Sequence, residues 1–156
     1  MEFDNRLILD GAIVGTVDLQ RRSDDSLVEV CANMDGGTST CTLTASSGAC
    51  TLTVPVGNYD ITVEMDLYPG ALRTGVTATA GITKTLPEIL LLGGDTNDDD
   101  TVNILDLSFL GARFGTSCGV PLYDQTGDIN DDCLINILAL SLKGSNFPIS
   151  SPVPWR

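Results

Sequence analysis

Residues 94–147 hold a duplicated unit with a period of 33 residues, and any fold for this chain has to accommodate both copies. The first copy begins Gly94-Asp95-Thr96-Asn97-Asp98-Asp99 and the second Gly127-Asp128-Ile129-Asn130-Asp131-Asp132. The match runs on to Gly111 with Gly144 and Phe114 with Phe147, and twelve of the 21 aligned positions are identical. Such density marks an internal repeat, which is read before anything else.

Each copy places side-chain oxygens at loop positions 1, 3, 5 and 9: Asp95, Asn97, Asp99 and Asn103, then Asp128, Asn130, Asp132 and Asn136. Calcium takes six to eight oxygens, and a loop of this spacing adds a backbone carbonyl at position 7 and a carboxylate at position 12. Those positions hold Thr101 and Asp106 in the first copy, Leu134 and Ala139 in the second. The second loop therefore lacks its closing carboxylate, and the expectation is one full calcium site and a second, weaker one. Position 6, where glycine eases a sharp turn, carries Asp100 and Cys133. Asp100 tolerates a left-handed backbone fairly well, and Cys133 fits it less well.

Apolar residues follow each loop at helical spacing: Ile104, Leu107, Leu110 and Phe114, then Ile137, Leu140 and Phe147. Each unit thus reads as a loop followed by a helix. The competing reading of an Asp/Asn cluster is a solvated acidic loop. Two copies with matched flanking helices argue for the ion.

The segments DTNDDDTVNILDLS and DINDDCLINILALS make this region resemble the dockerin family, which carries two calcium loop–helix units without the entering helix of an EF-hand. The resemblance implies a small calcium-folded module that binds a cohesin domain and attaches its host protein to a scaffold or cell surface. It also implies that residues just after position 9 face the partner. Neighbouring helical residues point about 100° apart, so one narrow stripe cannot bury Ile104, Leu105 and Leu107 together. Ile104, Leu105, Ile137 and Leu138 are the expected contact residues, with Leu105 and Leu138 the expected exposed members.

Residues 7–92 read as short strands. The cleanest alternation is Tyr59, Ile61, Val63 and Met65 against Asn58, Asp60, Thr62, Glu64 and Asp66. About seven such segments separated by turn signals predict an antiparallel β-sandwich. Residues 44–59, with Val54-Pro55, Gly57 and Tyr59, look like a stretch of carboxypeptidase-regulatory-like domains, which are prealbumin-like sandwiches used as spacers. Only Gly93 and Gly94 separate the last strand from the first loop, which predicts a shared interface rather than free tumbling. Leu90, Leu91 and Leu92 are expected to be buried there. The expected fold class is mixed, mainly β: an antiparallel β-sandwich over 1–92, followed over 93–156 by a small two-helix calcium-binding dockerin-like module. The tail 148–156 is proline-rich and non-helical. Its Trp155 is either a frayed end or a clasp that closes the calcium module on itself.

With eight Lys and Arg against 21 Asp and Glu, the formal net charge is −13. Nothing here offers phosphates a basic stripe, so nucleic acid is excluded as a partner. There is no histidine, which removes the usual general base and every Ser–His or Cys–His nucleophile pair. An enzyme is not expected. No run reaches the length of a membrane span. Residues 1–10 lack a basic leader and are broken by Asp10, so they read as no signal peptide, and the chain as a fragment of something longer.

Five cysteines divide into Cys31, Cys41 and Cys50, and Cys118 and Cys133. An oxidising, extracellular or cell-surface location favours disulfides. Cys118–Cys133 is the first expected pair, each being the other's only local partner. In the sandwich, Cys31–Cys41 and Cys41–Cys50 both remain open, with Cys31–Cys41 preferred because Cys50 falls on a core position. The competing reading leaves all five as buried thiols. The functional expectation is a non-catalytic, calcium-dependent interaction module that docks to a cohesin-like domain. The alternative is a structural subunit of an extracellular filament or surface assembly, whose partners are other copies of itself.

Overall fold

The computed structural model describes residues 9–155. Residues 1–8, most of the stretch read above as no signal peptide, and Arg156 lie outside the described residues. Eleven strands and two helices follow one another: β1 (Asp10–Leu19), β2 (Glu29–Met34), β3 (Ser39–Leu43), β4 (Ala49–Pro55), β5 (Gly57–Met65), β6 (Tyr68–Ala78), β7 (Thr83–Thr85), β8 (Ile89–Leu91), β9 (Thr101–Val102), α1 (Ile104–Ala112), α2 (Ile137–Ser145), β10 (Ile149–Ser150) and β11 (Val153–Pro154). The alternation in β5 does what period-two patterning dictates: Tyr59, Ile61 and Val63 are buried between exposed or half-buried neighbours. The same rule buries Cys50, Leu52 and Val54 in β4. The intervening turn is pinned by the Tyr59 hydroxyl, which donates to the Pro55 carbonyl at 2.8 Å.

β9 and β10 pair on their own, and the two larger sheets are ordered β4-β1-β7, with β8 also on β1, and β11-β6-β5-β2-β3. Their inner faces share a core of Ile13, Val17, Leu19, Val30, Leu52, Ile61, Val63 and Leu91, among others. Parallel edges were not expected. β7 and β8 run parallel to β1 at Ala12–Val14 and Val17–Leu19, and β11 runs parallel to β6. Residue type predicts a strand here only over 76–80, but β6 begins at Tyr68, with Pro69 and Gly70 inside it.

These observations correct the expected fold class. Over the described residues the protein is mainly β with two α-helices of nine residues each, rather than an antiparallel sandwich followed by a two-helix calcium-binding dockerin-like module. The physical reason is the C-terminal return. β11 joins the five-stranded sheet, and Trp155 lies 3% exposed in the sandwich core. Its indole N–H donates to the Pro87 carbonyl at 2.8 Å, and its ring lies where a Cβ on Gly15 would make contact at 3.2 Å. Trp155 is therefore neither a frayed end nor a clasp within the helical part; it belongs to the sandwich.

The helical part is tied to the sandwich by polar contacts as well. Asn146 donates to Gln20 Oε1 at 2.6 Å and to the Gly93 carbonyl at 2.7 Å, and Arg22 and Tyr68 both donate to the Ile129 carbonyl. Gly93 has to lack a side chain, since a Cβ there would lie 2.7 Å from Ile129 and 2.9 Å from Tyr68. The expected burial of Leu90 to Leu92 fails at Leu90. β8 alternates, so Ile89 and Leu91 face the core and Leu90 faces solvent.

Cys31 pairs with Cys41 across β2 and β3, and Cys118 pairs with Cys133; Cys50 is a buried free thiol. Reducing Cys118–Cys133, which closes a separation of 15 residues, should cost about 3 kcal/mol by loop-closure entropy. Denaturant melts of Cys118→Ser/Cys133→Ser against the parent chain measure it. Equal midpoints would show that the second loop is held by other contacts alone.

Candidate metal centre

Both repeat loops fold around their first aspartate. Asp95 is buried and accepts from the Asp99 and Asp100 amides at 3.1 and 2.7 Å. Asp128 accepts from the Asp132 and Cys133 amides at 3.1 and 2.7 Å, and also from the Tyr123 hydroxyl at 2.8 Å. The turn needs a left-handed backbone at positions 4 and 6, and Asp98, Asp100, Asp131 and Cys133 all adopt positive φ. Cys133, the poorer fit by residue type, is held at φ 65° and fastened by its disulfide. The remaining expected ligands are matched between loops: Asn97 donates to Asp99 Oδ2 at 2.8 Å, and Asn130 to Asp132 Oδ2 at 2.7 Å. Asn103 and Asn136 are the N-caps of α1 and α2, accepting from the Leu105 and Leu138 amides at 2.7 Å each. Thr101 sits in β9 against β10, while Leu134 bridges to Ser117.

The loops differ at position 12. Asp106 is fully buried, accepts from the Thr96 amide and hydroxyl at 2.8 and 3.0 Å, and accepts from the Asn103 amide at 2.7 Å. It completes a capping box that α2, with Ala139 there, cannot make. Sequence reading missed Lys143. It is fully buried, and its ammonium donates to Thr96 Oγ1 and to the Asp106 carbonyl, each at 3.1 Å. The signal was present, since Lys143 stands one repeat after Leu110, where a core residue belongs.

Charge and burial compete throughout. Burial pushes the Asp95 carboxyl above its ordinary range against the two amides it accepts from, and neighbouring Asp106 and Asp99 push it further. Burial, then the hydrogen bond to Asp128, raises the Tyr123 phenol to about 12. Burial lowers Lys143 to about 8, opposed by Asp106 and Asp95. A hard cation suits this donor set, which is all carboxylate, amide and carbonyl oxygen. One further observation fits it: Asn130 Oδ1 is buried without a hydrogen-bond partner, an oxygen that costs free energy unless something positive meets it.

The expected contact residues form two pairs, one at the start of each helix. Ile104, Leu105, Ile137 and Leu138 are 63%, 60%, 61% and 56% exposed. Both members of each pair face solvent, not only Leu105 and Leu138. The expected apolar stripes are corrected too. Of the first stripe only Leu110 is buried, and Phe114 and Phe147 lie exposed beyond the helix ends. The short helices bury Asp106, Leu110, Ala139 and Lys143 instead. No described helix is long and apolar enough to cross a membrane.

No family model matches the chain, and no curated protein matches its sequence. Solved structures do. A chain from the crystal structure of an N-terminal interface mutant of a type II cohesin–X–dockerin complex from Acetivibrio cellulolyticus aligns with a TM-score of 0.79 at 22% identity, covering 90% of this chain and 97% of its own. A chain from the C-terminal interface mutant of the same type of complex aligns with the same TM-score and coverage at 21% identity. At that identity the likeness is one of fold. It is a mainly β fold, matched over nine-tenths of the chain at once, in agreement with the correction above.

Proposed function

We propose that this chain is a non-catalytic, extracellular protein–protein interaction module that docks through the exposed starts of α1 and α2. The observation that carries this reading is the set of four large apolar side chains, Ile104, Leu105, Ile137 and Leu138, each more than half exposed and related in pairs by the repeat. Exposed apolar patches of this kind mark contact surfaces. The capped loops fix both pairs in place. In this reading residues 93–156 carry the contact surface, residues 1–92 support it, and the partner is a cohesin-like domain. The two disulfides suit an oxidising location.

Calcium belongs to the proposal. Asp95, Asn97, Asp99, the Thr101 carbonyl, Asn103 and Asp106 would hold one ion. Asp128, Asn130, Asp132, the Leu134 carbonyl and Asn136 would hold a second more weakly, because Ala139 offers no carboxylate. The ion would supply the positive charge that crowded carboxylates lack, so binding energy would add to folding energy. Calorimetry with calcium should resolve two unequal sites, and binding to an immobilised cohesin domain should be lost in chelator. Leu105→Asp with Leu138→Asp should weaken that binding about 1,000-fold, each anchor being worth about 2 kcal/mol, with the melting temperature unchanged. Undiminished binding by the double variant sinks the assigned surface. Self-association in sedimentation, without cohesin binding, would instead make other copies of the chain the partner.

A further inference from the structure

The contact between α1 and α2 is pseudo-symmetric in sequence and asymmetric in chemistry. Asp106 and Ala139 occupy one repeat position, Leu110 and Lys143 another. At one end of the contact Leu110, Ala139 and Ile135 form a dry cluster. At the other end the same two positions hold a carboxylate and an ammonium, both fully buried. The charges do not touch directly. Lys143 Nζ donates to the Thr96 hydroxyl at 3.1 Å, and that hydroxyl donates to Asp106 Oδ1 at 3.0 Å. A second ammonium hydrogen reaches the Asp106 carbonyl at 3.1 Å. Lys143 therefore ties the first residues of the first loop to the first turn of α1 from the far helix. Loop two has no cation at the equivalent place, since Leu110 stands there.

We propose that the Lys143 ammonium is the built-in counter-cation of the first loop, holding that loop to α1 when no divalent ion is present and weakening its affinity for one. The proposal rests on the reading of the first loop as a calcium site. A buried charge left alone is strongly destabilising, so Asp106 requires either this ammonium or an ion close by. Two cations placed near one set of carboxylates repel each other, and at short range this changes affinity by about tenfold or more. A lysine that merely filled space would behave as leucine does in the other half.

The test uses the full chain with its disulfides intact, calcium as the only probe, and the variants Lys143→Met and Lys143→Arg. Lys143→Met should melt at a lower temperature than the parent in chelator, yet bind calcium at the first loop about tenfold more tightly or better. Lys143→Arg should keep both parental values closer. An unchanged or higher melting temperature of Lys143→Met in chelator overturns the proposal, and so does an unchanged affinity. If Lys143→Met is unfolded in chelator, calcium must refold it, and failure to do so overturns the proposal. A parent chain silent to calcium at the first loop, with a Lys143→Met variant that binds it, would sink the calcium reading of the parent and support the counter-cation. Silence in both overturns the two together.

Discussion

Trp155→Ala should destabilise the protein by about 3–5 kcal/mol, the range for removing a large buried aromatic side chain. The indole fills the sandwich core beside Gly15 and donates to the Pro87 carbonyl. The residue's own amide donates to the Leu72 carbonyl at 2.9 Å, and its carbonyl accepts from Arg73 at 3.2 Å, so the backbone is anchored on both sides of the ring. Truncation leaves a cavity at the junction of both sheets and an unmatched acceptor on Pro87. Circular dichroism in urea is the measurement, because the variant has no tryptophan fluorescence to follow. Exposed Pro154→Ala serves as the control and should shift stability by no more than a few tenths of a kcal/mol. A loss below about 1 kcal/mol for Trp155→Ala would mean that the ring does not belong to the core.

The second large effect is expected for Asp106→Ala, at about 3–5 kcal/mol when measured in chelator, where a lost ligand does not enter the comparison. Three donors, the Thr96 amide, the Thr96 hydroxyl and the Asn103 amide, lose their acceptor at once. Lys143 stays buried with its nearest compensating carboxylate gone. Ala139, the repeat-related residue, makes none of these contacts, so Ala139→Gly should cost only about 1–2 kcal/mol, the helix propensity difference plus one buried methyl. Equal losses at the two positions would show that the buried charge on Asp106 plays no special part.

Period-two burial was legible wherever a strand is wet on one face, as in β5 and β4, because burial there follows the pleat. β7, β8 and β11 were not legible as parallel edges. They are two or three residues long, too short for a pattern, and their pairing depends on distant partners. β6 was read too short because Pro69 and Gly70 are punctuation in most contexts; the surrounding sheet overrides them here. The left-handed turn at position 6 was legible, since turn chemistry is local; the left-handed Asp98 and Asp131 at position 4 were not. The helix faces were not. Hydrophobic spacing turned Ile104 and Phe114 inward, but each helix has only nine residues and buries a charged residue, Asp106 or Lys143, on its inner face. Such residues are stable inside only as a complementary set, which spacing rules do not see.

The edge of the five-stranded sheet has a consequence for how the chain reaches its native state. β6 ends at Ala78, yet its outer partner β11 arrives only with Val153 and Pro154, and the ring that plugs the core follows at Trp155. A ribosome delivering this chain exposes the first eight strands long before the last one exists. Until then the open edge of β6 presents unpaired backbone groups to any passing strand, a hazard for association between nascent chains. Ordering the long excursion between β6 and β11 carries the entropy of a non-local contact and slows the final step. Completion of the sandwich thus waits on Val153–Trp155, and the two halves become native together rather than in turn.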